Sequence, residues 1–554
     1  MNQLHADVII IGGGLGGCAA AFAAADYGRS VILTEETDWL GGQLTSQLVP
    51  PDEHGWIERF GRPASYQRFR EMIRAHYRRH PPLTPEARSR PFLNPGNGWV
   101  SPLCHEPKVA VAVLQELLAP HIRTGRLRVL FRHRPVEVRK SAADLISSVL
   151  VRADEAPAAA ELCGHYVIDA TERGDLLELG EVEHVTGQES QADTGEPSAP
   201  ATARPQNMQA FSWCFALEHR DGANFAKTPP ENYDYWARYH FPINPPWPGP
   251  LLSLNGLNPR TMAPVQYRFE PNPPQPLPPP PGRAAVIDRT LWTYRRIIDR
   301  WNFLPGAQVS DVVVVNWPMN DYLTKSLIGG TAESRAEALA ESKQLSLALL
   351  YWLQTEAARP DGGKGWPGLR LRPDIAGTTD GFAQAPYIRE SRRIKALVTI
   401  REQDVAAASL PASADRGHEF EDSVGIGSYR IDLHPSHGGD NFVDVATLPF
   451  QLPLGALIPV RMKNLIPAAK NIGTTHITNG CYRLHPVEWN IGEVAGALAA
   501  FCLEQQIHPQ ELYQNPDRRR RFQTVLNERG VEMTWPSSLV LSEGDPHVHA
   551  GLED

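Results

Sequence analysis

Three glycines at Gly12-x-Gly14-x-x-Gly17 have a spacing that handles phosphate when it sits between a strand and a helix. The first glycine permits a tight turn, the second lets backbone N–H groups approach a pyrophosphate, and the third lets the helix pack close to the strands. Leu15 falls among the phosphate-facing residues, and the helix N-terminus adds partial positive charge. Glu35 stands 23 residues after Gly12, with Glu36 beside it. A carboxylate at that distance takes the ribose hydroxyls of a dinucleotide and repels a 2′-phosphate, which argues against NADP. A second group of reactive side chains lies far along the chain, at His476, Arg483 and His485. Histidine titrates near neutrality and can accept a proton, and arginine can hold an anion.

Other candidates are weaker. Arg389, with Arg392 and Arg393 nearby on an expected helix, could bind a carboxylate, sugar hydroxyls or the negative charge of a flavin, or form salt bridges to Glu390 or a neighbouring domain. His434-x-x-His437 is a single pair in a Pro/Gly-rich loop, and no metal site is expected from it. His105, just before an expected helix, could contact substrate or cap that helix. Several of the thirteen tryptophans, among them Trp56, Trp99, Trp247, Trp317 and Trp366, could line a pocket or anchor loops on a core.

The elements that must position these residues follow from the pattern. Val8–Ile11 reads as a buried strand, Gly16–Tyr27 as an Ala-rich helix and Ser30–Leu33 as a second strand, one βαβ unit. Helical spacing appears at Val109–Leu118, Leu291–Arg300 and Glu333–Glu356. Strands are expected at Leu127–Phe131, Val136–Val138 and Tyr166–Ala170. Proline is dense between 187 and 330, above all in the loop 268–282, where Pro278–Pro281 excludes helix interior and central strand. From Asn464 the pattern returns to strand (Leu465–Ala469), loop (Asn471–Arg483) and small-residue helix (Glu488–Leu503).

At 554 residues, several domains are expected. A net charge of -9 argues against nucleic acid as a partner, and Arg518–Arg521 reads as a solvated helix face. The six cysteines show no Cys-x-x-Cys spacing, which excludes the usual iron–sulfur and zinc patterns and a disulfide framework. No membrane span is expected. The apolar start is opened by Asp7 and carries glycines at nucleotide spacing, so it is not read as an export signal, and a cytoplasmic setting is the expectation.

Further motifs narrow the nucleotide. Trp39-Leu40-Gly41-Gly42-Gln43-Leu44-Thr45 resembles the second glycine motif of flavoproteins, which runs beside the ribityl chain and flavin. Asp169-Ala170-Thr171-Glu172-Arg173-Gly174-Asp175 resembles their strand-end motif. Arg134-Pro135-Val136-Glu137-Val138 fits the strand whose backbone touches adenine. Together with Gly187–Ser190, Asn316–Pro318, Tyr387–Arg393, Asp422–Tyr429 and Asn464–Gly496, these stretches resemble an FAD-dependent oxidoreductase family. That family is related to the fumarate reductase and succinate dehydrogenase flavoproteins, and some members carry the label "xanthan lyase".

The resemblance implies FAD as the cofactor, held by Gly12, Gly14, Leu15, Gly17, Glu35, Glu36, Gly41, Gly42, Gln43, Thr45, Val136, Ala170, Thr171, Asp175, Asn471, Asn490 and Ile491. It implies that the loop and helix from Asn471 onward cover the isoalloxazine ring, making His476, His485 and Arg483 catalytic candidates, with Arg389 a further candidate from its own residue type. The sequence departs from the pattern at Glu488 and Trp489, just before the helix glycine Gly492. The expected fold class is α/β, a Rossmann-like FAD-binding domain (GR2-type) assembled from both chain ends, with an inserted α+β substrate or cap domain. The boundaries are 1–190, 191–455, 456–510 and an extension 511–554. Because no second Gly-x-Gly-x-x-Gly follows a strand, electrons are expected from a small polar organic substrate rather than NAD(P)H. They would leave to oxygen, a quinone or a carrier protein. A lyase or isomerase using FAD without net oxidation, and an FAD subunit of a larger electron-transfer complex, are the alternative readings.

Overall fold

The computed structural model describes residues 2–153, 159–273 and 290–537. Its first element, β1 (Asn2–Ile11), runs into α1 (Leu15–Asp26) and β2 (Val31–Glu35). Val8–Ile11 and nearly all of α1 are buried. A helix made of Ala, Gly, Cys and Leu on every side has no polar face to offer water, so it sits inside the molecule. After α2 (Ala64–Arg79) and α3 (Pro107–Arg123) come β3 (Leu127–Phe131), the β4–β5 hairpin (His133–Ala142, Leu145–Ala153) and β6 (Ala160–Asp169).

The main sheet runs β3-β2-β1-β6, all parallel. The far side of β6 is shared. Its first half pairs antiparallel with β5, where Leu162 faces Val149. Its last three residues pair parallel with a strand from much later in the chain, Leu465–Pro467.

The intervening chain forms an antiparallel sheet from β7 (Phe215–His219), β8 (Arg296–Ile298), β9 (Val312–Val315) and β10 (Leu369–Leu371), in the order β8-β9-β7-β10. Helix α4 (Ala332–Thr355) packs on its own aromatic core with Trp292 and Trp317. Trp247 and Trp317 are core residues, while Trp56 packs in a small cluster with Ile426 and Trp535. Then come β11 (Ser423–Gly427), β12 (Phe450–Pro453), β13 (Leu465–Pro467), α5 (His476–Tyr482), α6 (His485–Gln505) and α7 (Pro516–Glu528). Helix α6 is buried from His485 to Cys502 and lies along α1. Their contact is made of small residues: a Cβ on Gly492 would sit 2.0 Å from the Gly16 carbonyl oxygen.

Three expectations change. The helix over Leu291–Arg300 stops at Tyr294, where β8 takes over because pairing with β9 captures the apolar Ile297 and Ile298. Arg389, Arg392 and Arg393 lie on extended chain, not on a helix. The loop Asn471–Arg483 contains α5, started by a Thr475 capping box. Gly425-Ile426-Gly427 lies within β11, where Gly425 makes room for Asn490. In the Pro-rich loop, residues 274–282 lie outside the described residues, as does 538–554 of the extension. Arg518, Arg520 and Arg521 are exposed on α7.

Candidate functional site

The glycine turn between β1 and α1 is filled by backbone. Gly12 has φ 101°, and a Cβ there would lie 2.3 Å from the Ala170 carbonyl oxygen. A Cβ on Gly16 would lie 1.7 Å from the Ala468 oxygen, and one on Gly17 2.0 Å from the Gly12 oxygen. Only glycine lets β1, β6, β13 and α1 converge here. Glu35 closes the turn from the side: its carboxylate accepts from the Gly13 N–H at 3.1 Å and from the Thr37 N–H and hydroxyl at 2.7 Å each. Burial nevertheless pushes its carboxyl up to about 7. Glu36 is exposed.

The second glycine turn faces the first. Gly41 (φ 111°) donates its N–H to the Gly13 oxygen at 2.8 Å, and a Cβ on Gly42 would come 2.9 Å from the Gly14 Cα. A side chain at Gly42 would therefore fill the space over the N-terminal end of α1. Leu15 is buried in the first turn of that helix. The Thr45 hydroxyl is used within the loop, on the Leu40 oxygen at 2.7 Å. The Gln43 amide donates to the Arg483 carbonyl at 3.0 Å and to Glu488, while its own carbonyl oxygen is buried without a hydrogen-bond partner. The other Glu488 oxygen accepts from the Gly16 N–H at 3.2 Å. Glu488 thus points back at the glycine turn, with Glu172 and its ion-paired Lys470 nearby. Burial raises its carboxyl to about 7 against the pull of Lys470.

The strand-end motif is tied to itself. Asp169 accepts from the Thr171 N–H (3.0 Å), the Thr171 hydroxyl (2.7 Å) and the Leu176 N–H (3.2 Å). Thr171 in turn accepts from the Asp175 N–H at 2.7 Å, and Ala170 donates its N–H to Ile11 at 2.8 Å. Asp175 pairs with Arg173 at 3.0 Å and lies 3.6 Å from Arg392. Asn471 bridges the ends of β6 and β13, donating to the Asp169 oxygen at 3.0 Å and accepting from the Ala469 N–H at 3.1 Å. These side chains shape the floor of the cradle. Val136 is the extra residue of a bulge between Pro135 and Glu137, a position taken out of regular ladder pairing. Asn490 donates to the Val424 oxygen at 3.2 Å, and Ile491 is fully buried in α6.

The catalytic candidates fall into three groups. Arg483 and His485 stand at the junction of α5 and α6. His485 Nδ1 accepts the Asp52 N–H at 3.0 Å, so in the neutral ring Nε2 carries the proton; that nitrogen is buried and has no hydrogen-bond partner. Burial holds His485 in this neutral form, pushing it down to about 3. Its geometry is that of a donor, where the sequence suggested a base. Arg483 donates to the Tyr387 hydroxyl at 2.7 Å and to the Asp432 oxygen at 3.1 Å.

His476, at the start of α5, belongs to a separate network. Its Nδ1 lies 2.7 Å from Glu390, and its Nε2 faces the Gln188 amide at 3.4 Å. Burial works against ionisation of Glu390, but His476 and Arg393 outweigh it and hold its carboxyl at about 2. Arg389 forms the third group, in a buried ion pair with Asp321 at 3.0 Å, and also donates to Ser212 and Asn316. His434 holds the other Asp321 oxygen at 2.5 Å, whereas His437 lies against Met208. Among the described residues no group of three or more metal-ligating side chains occurs.

Two neighbours of His485 did not stand out in the sequence. Arg295 lies 3.5 Å from Asp52 and was hidden inside the expected helix at 291–300. Asp52 sits on a loop anchored by its neighbour Glu53, which Arg70 of α2 holds at 2.8 and 3.1 Å. Adjacent polar residues in a Pro-rich loop carry no signal of such burial. His105, next to this loop, is also buried; its Nδ1 faces the Glu106 carbonyl at 3.1 Å, and burial lowers it to about 4.

A parallel sheet whose first strand ends in a glycine turn, with an acidic residue closing it and a late helix packed along α1, defines a dinucleotide-binding enzyme core. The family described as FAD dependent oxidoreductase matches residues 7–526, and the chain belongs to it. Its cofactor is FAD, and the Gly14–Gly42 space together with the unpartnered Gln43 oxygen fits such a group. No curated protein matches the chain by sequence.

Solved structures match at low similarity. One is a geranylgeranyl bacteriochlorophyll reductase-like protein from Thermoplasma acidophilum (11% identity, 96% of this chain and 85% of that one, TM-score 0.30). Another is the FAD complex of glycerol-3-phosphate dehydrogenase from Bacillus halodurans (11%, 39% and 40%, TM-score 0.24). A third, L-proline dehydrogenase from P. horikoshii, matches at 16% identity over 34% of this chain and 24% of its own, with a TM-score of 0.17. The chain therefore spans only a quarter of that protein's length. No helix among the described residues is long and apolar enough to cross a membrane.

Proposed function

We propose that this enzyme removes two electrons from a small polar organic molecule, with FAD as their first acceptor. The observation that carries the reading is the link from Gln43 to both Arg483 and Glu488, with Glu488 on Gly16. It brings the Arg483 backbone, two residues before His485, to the second glycine turn and ties Glu488 to the first. Gly12, Gly14, Leu15 and Gly17 would hold the pyrophosphate, Glu35 the ribose, Gly41–Thr45 the ribityl side and Val136 the adenine. Ala170, Thr171, Asp175 and Asn471 would shape the floor, while Asn490 and Ile491 set the helix that closes it. Bound FAD supplies a two-electron acceptor that takes hydride at N5.

The protein's own part is to orient the substrate and take its proton. Glu390 fixes His476 so that Nδ1 carries the hydrogen and Nε2 keeps a lone pair, the arrangement of a general base. His485 Nε2–H and Arg483 orient by donating. Arg389, tied to Asp321, supports the segment between them through its carbonyl, which accepts from Asn479 at 3.0 Å. Kinship with the fumarate reductase and succinate dehydrogenase flavoproteins belongs to the same reading and is supported by the motifs from Gly187 to Tyr429.

Anaerobic incubation with a panel of alcohols, amines and hydroxy acids is expected to bleach the flavin band. Turnover of a panel member with the band unchanged would overturn the oxidoreductase chemistry proposed here. His476→Ala is expected to keep FAD and slow bleaching by about 10²-fold. An unchanged rate would remove His476 from the mechanism.

A further inference from the structure

A cleft of about 290 Å³ opens at the far end of α1 from the glycine turn. Tyr27 on its wall comes eleven residues after Gly16, which along a helix is about 16 Å. The walls come from α1, α2, α6 and α7 and are largely apolar, with Phe22, Leu526 and Val531 among them. Set into them is Glu493 of α6, only 6% exposed. Ser65 accepts from the Trp489 indole at 2.7 Å and donates its one hydrogen to Glu493 Oε2. Oε1 has no hydrogen-bond partner among the described residues. The Tyr27 hydroxyl is buried and also lacks one.

No cation pairs with this carboxyl among the described residues. Arg529, the cation that acts on it, is committed to Asp26 and stacks 3.8 Å over the Tyr27 ring. Arg68 lies at the exposed mouth, on α2. Burial therefore prevails, and it pushes Glu493 up to about 7. A buried carboxylate is stable only when paired and hydrogen-bonded. A guanidinium would need both carboxylate oxygens for its fork, and Ser65 already holds one. A metal ion would need more ligands, and no group of three lies among the described residues. An ammonium is a compact charge whose N–H groups can each take a single oxygen.

We infer that the cleft binds the ammonium group of a small primary amine, held by Glu493 Oε1 and the Tyr27 hydroxyl oxygen, with its hydrocarbon part against Phe22, Leu526 and Val531. A free amine and an amino acid share that group. An amino acid adds a carboxylate, for which Arg68 stands at the mouth. Asp26 and Arg529 neutralise each other at the rim, so affinity follows the ionisation of Glu493.

The FAD-loaded enzyme would be titrated calorimetrically at pH 8 with isoamylamine, leucine, isoamyl alcohol and isovalerate, while the flavin spectrum is followed. Isoamylamine or leucine is expected to bind at one site without bleaching the flavin, and the alcohol and the acid are not. The Kd of the bound amine should rise about tenfold or more in Glu493→Gln, and about threefold in Tyr27→Phe. In the wild type it should rise severalfold from pH 8 to pH 6. Leucine bound more tightly than isoamylamine, with the advantage lost in Arg68→Gln, would assign the site to amino acids. The reverse order would assign it to free amines.

Three results would overturn the inference. One is a wild-type enzyme that binds neither amine, or binds the alcohol equally well. Another is a Kd unchanged in Glu493→Gln. The last is a Kd that changes in His476→Ala and not in the cleft variants, which would place the amine at the flavin. Should Glu493→Gln not fold, Tyr27→Phe and the wild type at the two pH values decide the matter, and an unchanged Kd in both would end it.

Discussion

Burial raises Glu488 to about 7, and that carboxyl sits on the first-turn N–H of Gly16, where α1 meets phosphate in the proposed mode of FAD binding. Below that value it is neutral and can share the site with a pyrophosphate. Above it, a second negative charge faces the phosphates, moderated by Lys470. FAD is therefore expected to bind more weakly at pH 8 than at pH 6, and Glu488→Gln should flatten the trend. Kd values from fluorescence titration decide it, and wild-type affinity that does not change between those pH values would refute the role of Glu488.

Glu493 carries a second pH dependence, away from the cradle. Burial pushes its carboxyl up to about 7 despite the bond from Ser65. A raised carboxyl pKa favours the folded state fully below the unfolded value near 4.5, and that contribution is lost as pH rises through about 7. Between pH 5 and pH 8 the wild type should lose up to about 3 kcal/mol relative to Glu493→Gln. Parallel urea-unfolding curves for the two proteins at both pH values would contradict this.

At the scale of elements, the α1–α6 contact is the joint on which the site depends. A Cβ on Gly492 would meet the Gly16 carbonyl oxygen at 2.0 Å, a backbone atom that no rotamer change can move aside. The helices must separate to accept it. Gly492→Ala should therefore cost about 1–3 kcal/mol, more than the helix-propensity gain of about 1 kcal/mol returns. Purified variant protein with full flavin content and unchanged melting temperature would show that the two helices tolerate separation.

Elements also explain the misread residues. Arg295 was placed in a helix because Leu291–Arg300 has helical spacing, yet pairing with β9 takes the apolar residues after Tyr294 into a sheet. Arg389–Arg393 looked like a cationic helix face. Instead the segment is extended and buried, and its charges are spent on Asp321, Glu390, Glu189 and Glu178.

For the whole molecule, the sheet joins strands within residues 2–11, 31–35, 127–153, 160–169 and 465–467. A cofactor lying across the ends of β1, β6 and β13 binds the folded state alone and stabilises it by mass action. FAD at a hundred times its Kd should add about 2.7 kcal/mol to stability. Amide hydrogen exchange should slow together at Gly12–Gly17 and Leu465–Pro467 when FAD is added to the apoprotein. Protection confined to the first segment would mean that β13 does not take part in holding the cofactor.

The βαβ unit, the glycine turn and the closing acidic residue were legible because they are local. A buried strand, three glycines and a carboxylate follow one another within thirty-five residues, and backbone sterics leave little choice of conformation. FAD itself followed from the resemblance of the later motifs and is carried by the family match. The environment of the reactive side chains had no such local cause. His476 and His485 are nine residues apart and alike in sequence, yet one ring is fixed by Glu390 and the other by the Asp52 backbone. Arg295 and Asp52 meet only because the inserted sheet and the loop after the second glycine turn close on the same face. Which nitrogen of a histidine keeps its proton, and which arginine keeps a free donor, depends on partners hundreds of residues away, and only the tertiary structure brings them together.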